Sequence, residues 1–389
     1  MNLLRGGGAL LALNLQSVRH RPGAAVVVLI AFAVAAIVFL SVFEMSQGFE
    51  SLISSATSAE RAILLQRGAS SEVGSTIDRE QLLLLQSVVS APASPELVTA
   101  VRLHAGAAED VTLIPLRGLE SGFARVRPEV QILSGRAFVP GRHEVILGQA
   151  LAREYRSLQL GSRLTIKGQP WQIVGTFASG GSIHESEIFA DRLTLGGALG
   201  KDSASAVVLR LQTPQQTLAS LEAQLASNSR LTLTAQTERD YYDHQSSTLR
   251  EVLRFLAYLV GAVMALGACL AALNAMYSAV EARRTELGVL RALGARPESL
   301  LWSIVLQSLL LGGLGTLLGV LASWVLFDGK TFSTLAEGQH LTELVIQMHT
   351  GIVASMISVA CGCVIGAVAG FIPALTALWI QPLAALRAT

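Results

Sequence analysis

EARRTELGVLRALGARPESL, residues 281–300, separates two long apolar runs, and its reading decides the architecture of the whole chain. It carries Arg283, Arg284, Arg291 and Arg296 against Glu281, Glu286 and Glu298. From Glu286 to Ala295 it has helical character, with Leu287, Leu290 and Leu293 at three-residue steps and Gly294 as the stop. Pro297 followed by Glu298 suits the first turn of a new helix. The expectation is a membrane helix that ends, an amphipathic helix lying at the surface, and a membrane helix that returns. An ordinary basic loop would explain the topology but not the leucine spacing. A helix held at the membrane surface is a natural docking point for a cytoplasmic partner.

Outward from this stretch the apolar runs cluster at the two ends of the chain. Of 389 residues, 51% are hydrophobic and 15% charged, with a net charge of +1. That is too apolar for an ordinary soluble protein and carries no nucleic-acid footprint. Gly23 to Phe43 is uncharged and long enough to cross a bilayer, so 23–45 is read as the first span. A cleaved secretory signal is the rival, but the run is longer than a signal core and no small-residue cleavage site follows it directly. Residues 1–22 form a basic lead-in, with 10–18 suited to the interface. Further spans fall at 251–280, 301–327 and 350–380, joined by 281–300 and a short loop at 328–349, with a tail at 381–389. Lys and Arg concentrate in the lead-in, the 281–300 segment and the tail, while 328–349 holds only Lys330. Positive residues stay inside, so both termini are expected in the cytoplasm and the large 46–250 segment outside.

Within 46–250 the composition is that of a globular α+β domain. Strands are expected at 63–66, 111–115, 144–147, 206–211 and 231–235, and helices at 78–89, 95–104 and 214–226. Residues 164–167 and 171–174 flank Gly168-Gln169 as a hairpin. The pattern suggests two α+β pieces flanking a β-rich insertion near 115–200, with a single mixed domain as the alternative. From Asp240 a helix is expected to run without interruption into the second span.

Candidate chemistry is sparse. The nearest approach to a phosphate cradle, LGGALGKDS at 195–203, has Leu195 in place of the first glycine and Asp202 after Lys201, so no ATP site is expected. His184, Glu185, Glu187 and Asp191 could ligate a metal, but their spacing fits no template and a solvated loop is the favoured reading, so no metal site is assigned. No nucleophile elbow is present, and no catalytic residue is assigned. Cys269, Cys361 and Cys363 all lie in apolar runs. Gly315 with Gly319, and Gly362, Gly366 and Gly370 at four-residue steps, form faces for close helix packing, read as contacts within one chain with packing between two chains as the alternative. No ionisable residue lies deep in a span, which weighs against an ion-coupled carrier.

The run RRTELGVLRALGARPESL resembles the signature of the FtsX-like permeases, a family that includes the MacB, LolC/LolE and FtsX proteins. WQIVGTFASGGSIHESEIFAD, 171–191, is similar to the end of the periplasmic core domain of MacB-like members, where it serves the fold. The lead-in ALNLQSVRHRPG extends the similarity to most of the chain. The resemblance implies four transmembrane helices with a periplasmic domain between the first and second, in a bacterial inner-membrane ABC transporter permease working by mechanotransmission. It implies a dimer, homodimer or heterodimer, bound to two copies of an ATPase that hold ATP and Mg, with no cofactor in this chain. Glu286, Gly288, Leu290, Arg291, Ala292, Gly294 and Ala295 would then seat on that ATPase. The implied activity is efflux of a hydrophobic or amphiphilic compound with a periplasmic adaptor and outer-membrane channel. Lipoprotein or lipid extraction and transmembrane signalling to cell-wall hydrolases are the alternatives.

Overall fold

The computed structural model describes residues 22–56, 58, 60–89, 91–104, 111–155, 157–211, 217–292, 296–334, 344–347 and 351–378. The lead-in before Pro22, Leu293, Gly294 and Ala295, and the tail beyond Leu378 lie outside the described residues. The chain divides into two compact units, a helical one (1–46, 251–330, 348–389) and a sheet-containing one (47–250, 331–347).

Four helices are long and apolar enough to cross a membrane. These are α1 (Pro22–Ala56), α6 (Glu238–Glu281), α8 (Pro297–Phe327) and α9 (Ile352–Leu378). The short helix α7 (Arg284–Ala292) lies between α6 and α8. Pro297 opens α8 at its first turn, where a missing N–H costs nothing. Both α1 and α6 extend well past the uncharged runs that announce them, because their amphipathic continuations still pack: Phe49, Leu52 and Ile53 of α1 and Tyr241 and Tyr242 of α6 are buried.

The second unit is built on a ten-stranded mixed sheet, in the order β10-β1-β9-β2-β3-β8-β5-β7-β4, with β6 paired to β7. Its strands are β1 (Arg61–Gln66), β2 (Ala93–His104), β3 (Val111–Leu119), β4 (Gln131–Gly135), β5 (Glu144–Gly148), β6 (Arg163–Ile166), β7 (Gln169–Ala178), β8 (Ile188–Asp191), β9 (Ala206–Arg210) and β10 (Leu233–Thr237). β3–β8 and β5–β7 are parallel and the other pairs antiparallel. Its helices are α2 (Arg79–Val88), α3 (Gln149–Glu154), α4 (Arg192–Leu199) and α5 (Leu218–Ser227).

Strand alternation sorts the side chains into two faces. Ala62, Leu64, Val207, Leu209 and Leu233 pack with Leu82, Leu85, Leu221 and Leu225 of α2 and α5. Leu97, Val101, Ile114, Leu116, Val145, Leu147 and Trp171 form a second core with Leu151 and Leu195 of α3 and α4. On β5 the intervening Ile146 joins Leu119, Phe123, Phe138, Phe177 and Phe189 instead. Burying about ten such side chains in one cluster, at roughly 1.5–3 kcal/mol each, is the main drive for the sheet to form.

Three sequence expectations are corrected. The helix expected at 95–104 is the strand β2: its residues pair with β3 from Leu97↔Gly118 to His104↔Val111 and with β9 from Ala93↔Leu209 to Glu96↔Ala206. Helical-looking apolar spacing loses here to non-local ladder pairing on both sides. The loop expected at 328–349 contains an antiparallel pair, β11 (Thr331–Thr334) with β12 (Leu344–Gln347), that belongs to the sheet-containing unit. The β6–β7 hairpin forms, but its two-residue turn is Lys167-Gly168, with φ of 49° and 80°, one residue earlier than expected. Positive φ at both positions is what the twist of a two-residue hairpin demands.

Candidate functional site: the short helix and a buried charge network

Helix α7 is anchored by one side. Leu287, 8% exposed, enters an apolar cluster with Met276 and Val280 of α6, Leu300, Ile304 and Val305 of α8, and Ala374 of α9. Gly288 beside it is buried, while Arg284, Glu286 and Val289 are exposed and Arg291 half-buried. The surface pairs Arg284–Glu281 at 3.1 Å and Arg283–Glu286 at 3.9 Å are i,i+3 contacts worth about 0.2–0.5 kcal/mol each. The anchor is therefore apolar, and the outward face carries Arg284 and Glu286 beside the exposed Val289. Ala292 ends the helix, exposed; Leu290 lies within it, on the turn that follows Leu287.

The packing glycines sit at backbone crossings. A Cβ on Gly315 would stand 2.9 Å from the Leu29 carbonyl of α1, and one on Gly319 would stand 2.4 Å from the Ala33 carbonyl. On α9, a Cβ on Gly362 would collide with Thr316, one on Gly366 would lie 2.6 Å from the Ser308 carbonyl, and one on Gly370 2.5 Å from Ser308 Cβ. Gly312, which the spacing argument passes over, belongs to the same crossing, with the Gly362 carbonyl 2.6 Å from its would-be Cβ. These contacts join α8 to α1 and α9 within one chain, replacing side-chain bulk by direct backbone approach.

The sheet-containing unit holds a network of charges that composition did not announce. Arg117 of β3 is 2% exposed and donates five bonds: Nε and Nη2 to Glu187 at 2.7 and 3.0 Å, Nη1 to Glu72 and Glu96 at 2.8 and 2.7 Å, and Nη2 to Glu72 at 3.2 Å. Arg127, fully buried, donates to Glu96 through Nε at 3.2 Å and Nη2 at 3.3 Å, and to Glu238 through Nη1 at 2.9 Å. Arg61, at the start of β1, grips the other oxygen of Glu238 and reaches Glu129 at 2.6 Å. His184 closes a ring, with Nε2 3.0 Å from Arg127 Nη1 and Nδ1 3.3 Å from Glu187. A guanidinium can only donate, so Nε2 accepts and the Nδ1 proton faces Glu187.

Burial alone would push the carboxyls of Glu96 and Glu187 up. For Glu96 the guanidiniums of Arg127 and Arg117 more than offset it, and for Glu187 Arg117 and then His184 do; both stay below the usual carboxylate range. The same desolvation pulls Arg117 and Arg127 down. Glu187 and Glu72 raise Arg117 again, and Glu96 and Glu238 raise Arg127, so both are firmly charged. Such networks define geometry more than they add stability, because apolar residues of similar size often serve stability as well.

The four side chains considered for a metal are employed in three separate places. His184 and Glu187 belong to the ring just described. Glu185 accepts from the backbone N–H groups of Ser179 and Gly181 at 2.7 and 2.8 Å, bracing the Gly180-Gly181 turn. Asp191 caps α4, accepting from Thr194 N at 2.9 Å. Among the described residues no group of three or more His, Cys, Asp and Glu is placed to hold a metal. The residues that sequence reasoning missed are Arg61, Glu72, Glu96, Arg117, Arg127, Glu129 and Glu238. The signal was Arg117, the single charge of β3; in β2 Glu96 shares the strand with Arg102 and nothing in the sequence set it apart.

Residues 24–228 match the MacB-like periplasmic core domain, and residues 258–382 match the FtsX-like permease C-terminal region. The macrolide export ATP-binding/permease protein MacB of Acinetobacter baylyi is 29% identical over 195 residues, 48% of this chain and 28% of that protein. MacB of Hahella chejuensis is 23% identical over 243 residues, 58% of this chain and 35% of its own length. The uncharacterized ABC transporter permease YknZ of Bacillus subtilis is 23% identical over 299 residues, 72% of this chain and 71% of YknZ. The chain thus spans about a third of the MacB relatives it matches.

Proposed function

This chain belongs to the ABC transporter permease family that joins a MacB-like periplasmic core domain to an FtsX-like permease region, and from that premise we propose that it is the permease subunit of an ABC transporter driven by a separate ATPase. The observation that carries the reading is the seating of α7. Its apolar side is locked by Leu287 among α6, α8 and α9, and Glu286 and Val289 project outward. A helix held that way is displaced together with α6 and α8, so a force on its outer face enters the bundle. Glu286, Gly288, Leu290, Arg291, Ala292, Gly294 and Ala295 are the proposed seat for the ATPase.

Two copies of the ATPase would hold ATP and Mg²⁺ and act on a permease dimer. This sequence offers no phosphate cradle of its own: Leu195 of the nearest match is a buried core residue and Gly200 is the left-handed cap of α4. The arginine-rich segments support a topology with α7 and both termini in the cytoplasm and the sheet-containing unit outside, in a bacterial inner membrane. The cargo proposed is a hydrophobic or amphiphilic compound passed to a periplasmic adaptor and an outer-membrane channel.

The test is purification of the tagged chain from its native membrane with identification of the proteins that accompany it. A stoichiometric ATPase with a periplasmic adaptor is expected. An ATPase with a cell-wall hydrolase or a kinase would move the protein to signalling, an ATPase with a lipoprotein carrier to extraction, and no ATPase at all would overturn the proposal. Glu286→Ala and Arg291→Ala should insert normally but lower ATPase recovery and coupled hydrolysis about tenfold, the equivalent of ~1.4 kcal/mol of docking. Full coupled hydrolysis in both variants would refute the assignment of α7.

A further inference from the structure

The charge network has a direction. Its members alternate in sign along one path, Glu129–Arg61–Glu238–Arg127–Glu96–Arg117, before branching to Glu72 and Glu187. Glu238 is the first residue of α6, and both of its oxygens are taken, one by Arg61 and the other by Arg127. Arg61 begins β1, five residues after the end of α1, and Arg127 reaches β2 through Glu96. One carboxylate therefore ties the start of a long helix to β1, next to the edge of the sheet, and through Arg127 and Glu96 to β2.

Helix α6 is continuous for 44 residues, a rod of about 66 Å. Its last turn is followed within three residues by α7. At its other end it follows β10 directly, Thr237 being paired with Ala62 of β1. A backbone junction alone leaves a helix free to swivel about two dihedrals. Here the swivel is removed by Glu238 between two guanidiniums, by Tyr241 Oη accepting from Glu72 N at 3.0 Å, and by the Tyr242 ring edge-on to His184 at 6.3 Å. Charged groups are a costly way to fill an interior, and they hold their geometry only while every partner is in place.

Building on the transmission reading above, we propose that Glu238 is the joint through which displacement of α6 is imposed on the sheet, with Arg61 and Arg127 as its two grips. Movement begun at α7 travels along α6 and turns β1 and β2 because the shared carboxylate forbids slippage. Glu238 is in this sense a positioning residue that touches neither nucleotide nor cargo. A glutamine in its place keeps one acceptor oxygen but turns an NH₂ toward the second guanidinium, freeing one grip.

The test uses the full chain with its co-purified ATPase in lipid nanodiscs. The native cysteines are replaced by alanine and one spin label is placed at exposed Gln224 of α5. The label-to-label distance between the two permease copies is measured without nucleotide and after ATP–vanadate trapping. The unaltered protein should shift on trapping. Glu238→Gln should start from the same nucleotide-free distance and lose most of the shift, while ATP turnover changes less than twofold. Glu144→Gln, a buried carboxylate paired with Arg136 off the path, should keep the whole shift. Retention of the full shift in Glu238→Gln, or equal loss in Glu144→Gln, would overturn the joint while leaving the transmission reading intact. Absence of any nucleotide-dependent shift in the unaltered protein would overturn the transmission reading, and the joint with it.

Discussion

Replacing Arg117 with methionine is the sharpest test of the buried network. The substitution keeps most of the aliphatic volume and removes five hydrogen bonds to three carboxylates, at 2.7–3.2 Å. Glu96 retains Arg127, but Glu187 keeps only His184 and Glu72 loses its guanidinium entirely. Stranding a buried charge in this way costs about 3–5 kcal/mol. For a domain of this size each kcal/mol lowers the melting midpoint by roughly 2–4 °C, so the expected fall is about 6–20 °C. The assay is thermal unfolding of the full chain in detergent, followed by the emission of Trp171, which is fully buried in the sheet core, after replacement of the other tryptophans by phenylalanine. Arg117→Met with Glu187→Gln should recover part of the loss, since one surplus charge is removed. Arg79→Met, at the solvent-exposed pair with Asp202, should leave the midpoint unchanged. A midpoint in Arg117→Met equal to that of the unaltered protein would show that water reaches these carboxylates and that the network is not closed.

Acidification reads the same network another way. Glu96 and Glu187 are held below their ordinary value, so their contribution is complete above the unfolded carboxyl value near pH 4.3 and drains away as pH falls below it. The midpoint of the sheet-containing unit should be level from about pH 7 to 5.5 and decline steadily below about 4.5; a midpoint that rises on acidification would contradict the assignment. In the helical unit, Gly366→Leu should drive α8 and α9 apart, since even a Cβ there would lie 2.6 Å from the Ser308 carbonyl. Gly267→Leu, where nothing stands within 4 Å, should be tolerated. The size-exclusion profile of each variant in detergent separates the two, and equal behaviour would refute the crossing.

Much of the architecture was legible from residue order. Four uncharged runs of bilayer length, the Lys and Arg bias of their flanks and the interruption at 281–300 are local, one-dimensional signals. Helix α7 was legible for the same reason, since Leu287 needs only a helical period to face inward. The strand β2 was not, because residues 95–104 satisfy a helical spacing and become a strand only when β3 and β9 present edges to them. The hairpin was legible to within one residue; its turn slips to Lys167-Gly168 because a two-residue loop needs positive φ at both positions, and the glycine alone did not specify which side its partner lies on.

The buried network marks the boundary between the two kinds of information. Read in order, Arg61, Glu72, Glu96, Arg117, Arg127, His184, Glu187 and Glu238 are isolated charges with up to 177 positions between bonded partners, and each looks like an ordinary solvated side chain. By itself the sequence determined which segments enter a membrane, which helix lies between α6 and α8, and that no phosphate cradle lies within it, because hydropathy, period and motif spacing act between neighbours. Only the tertiary structure decided that these eight side chains meet out of water and that one carboxylate holds the head of α6. The Coulomb attraction that pairs them depends on distances and burial, which do not exist until the sheet has closed around them.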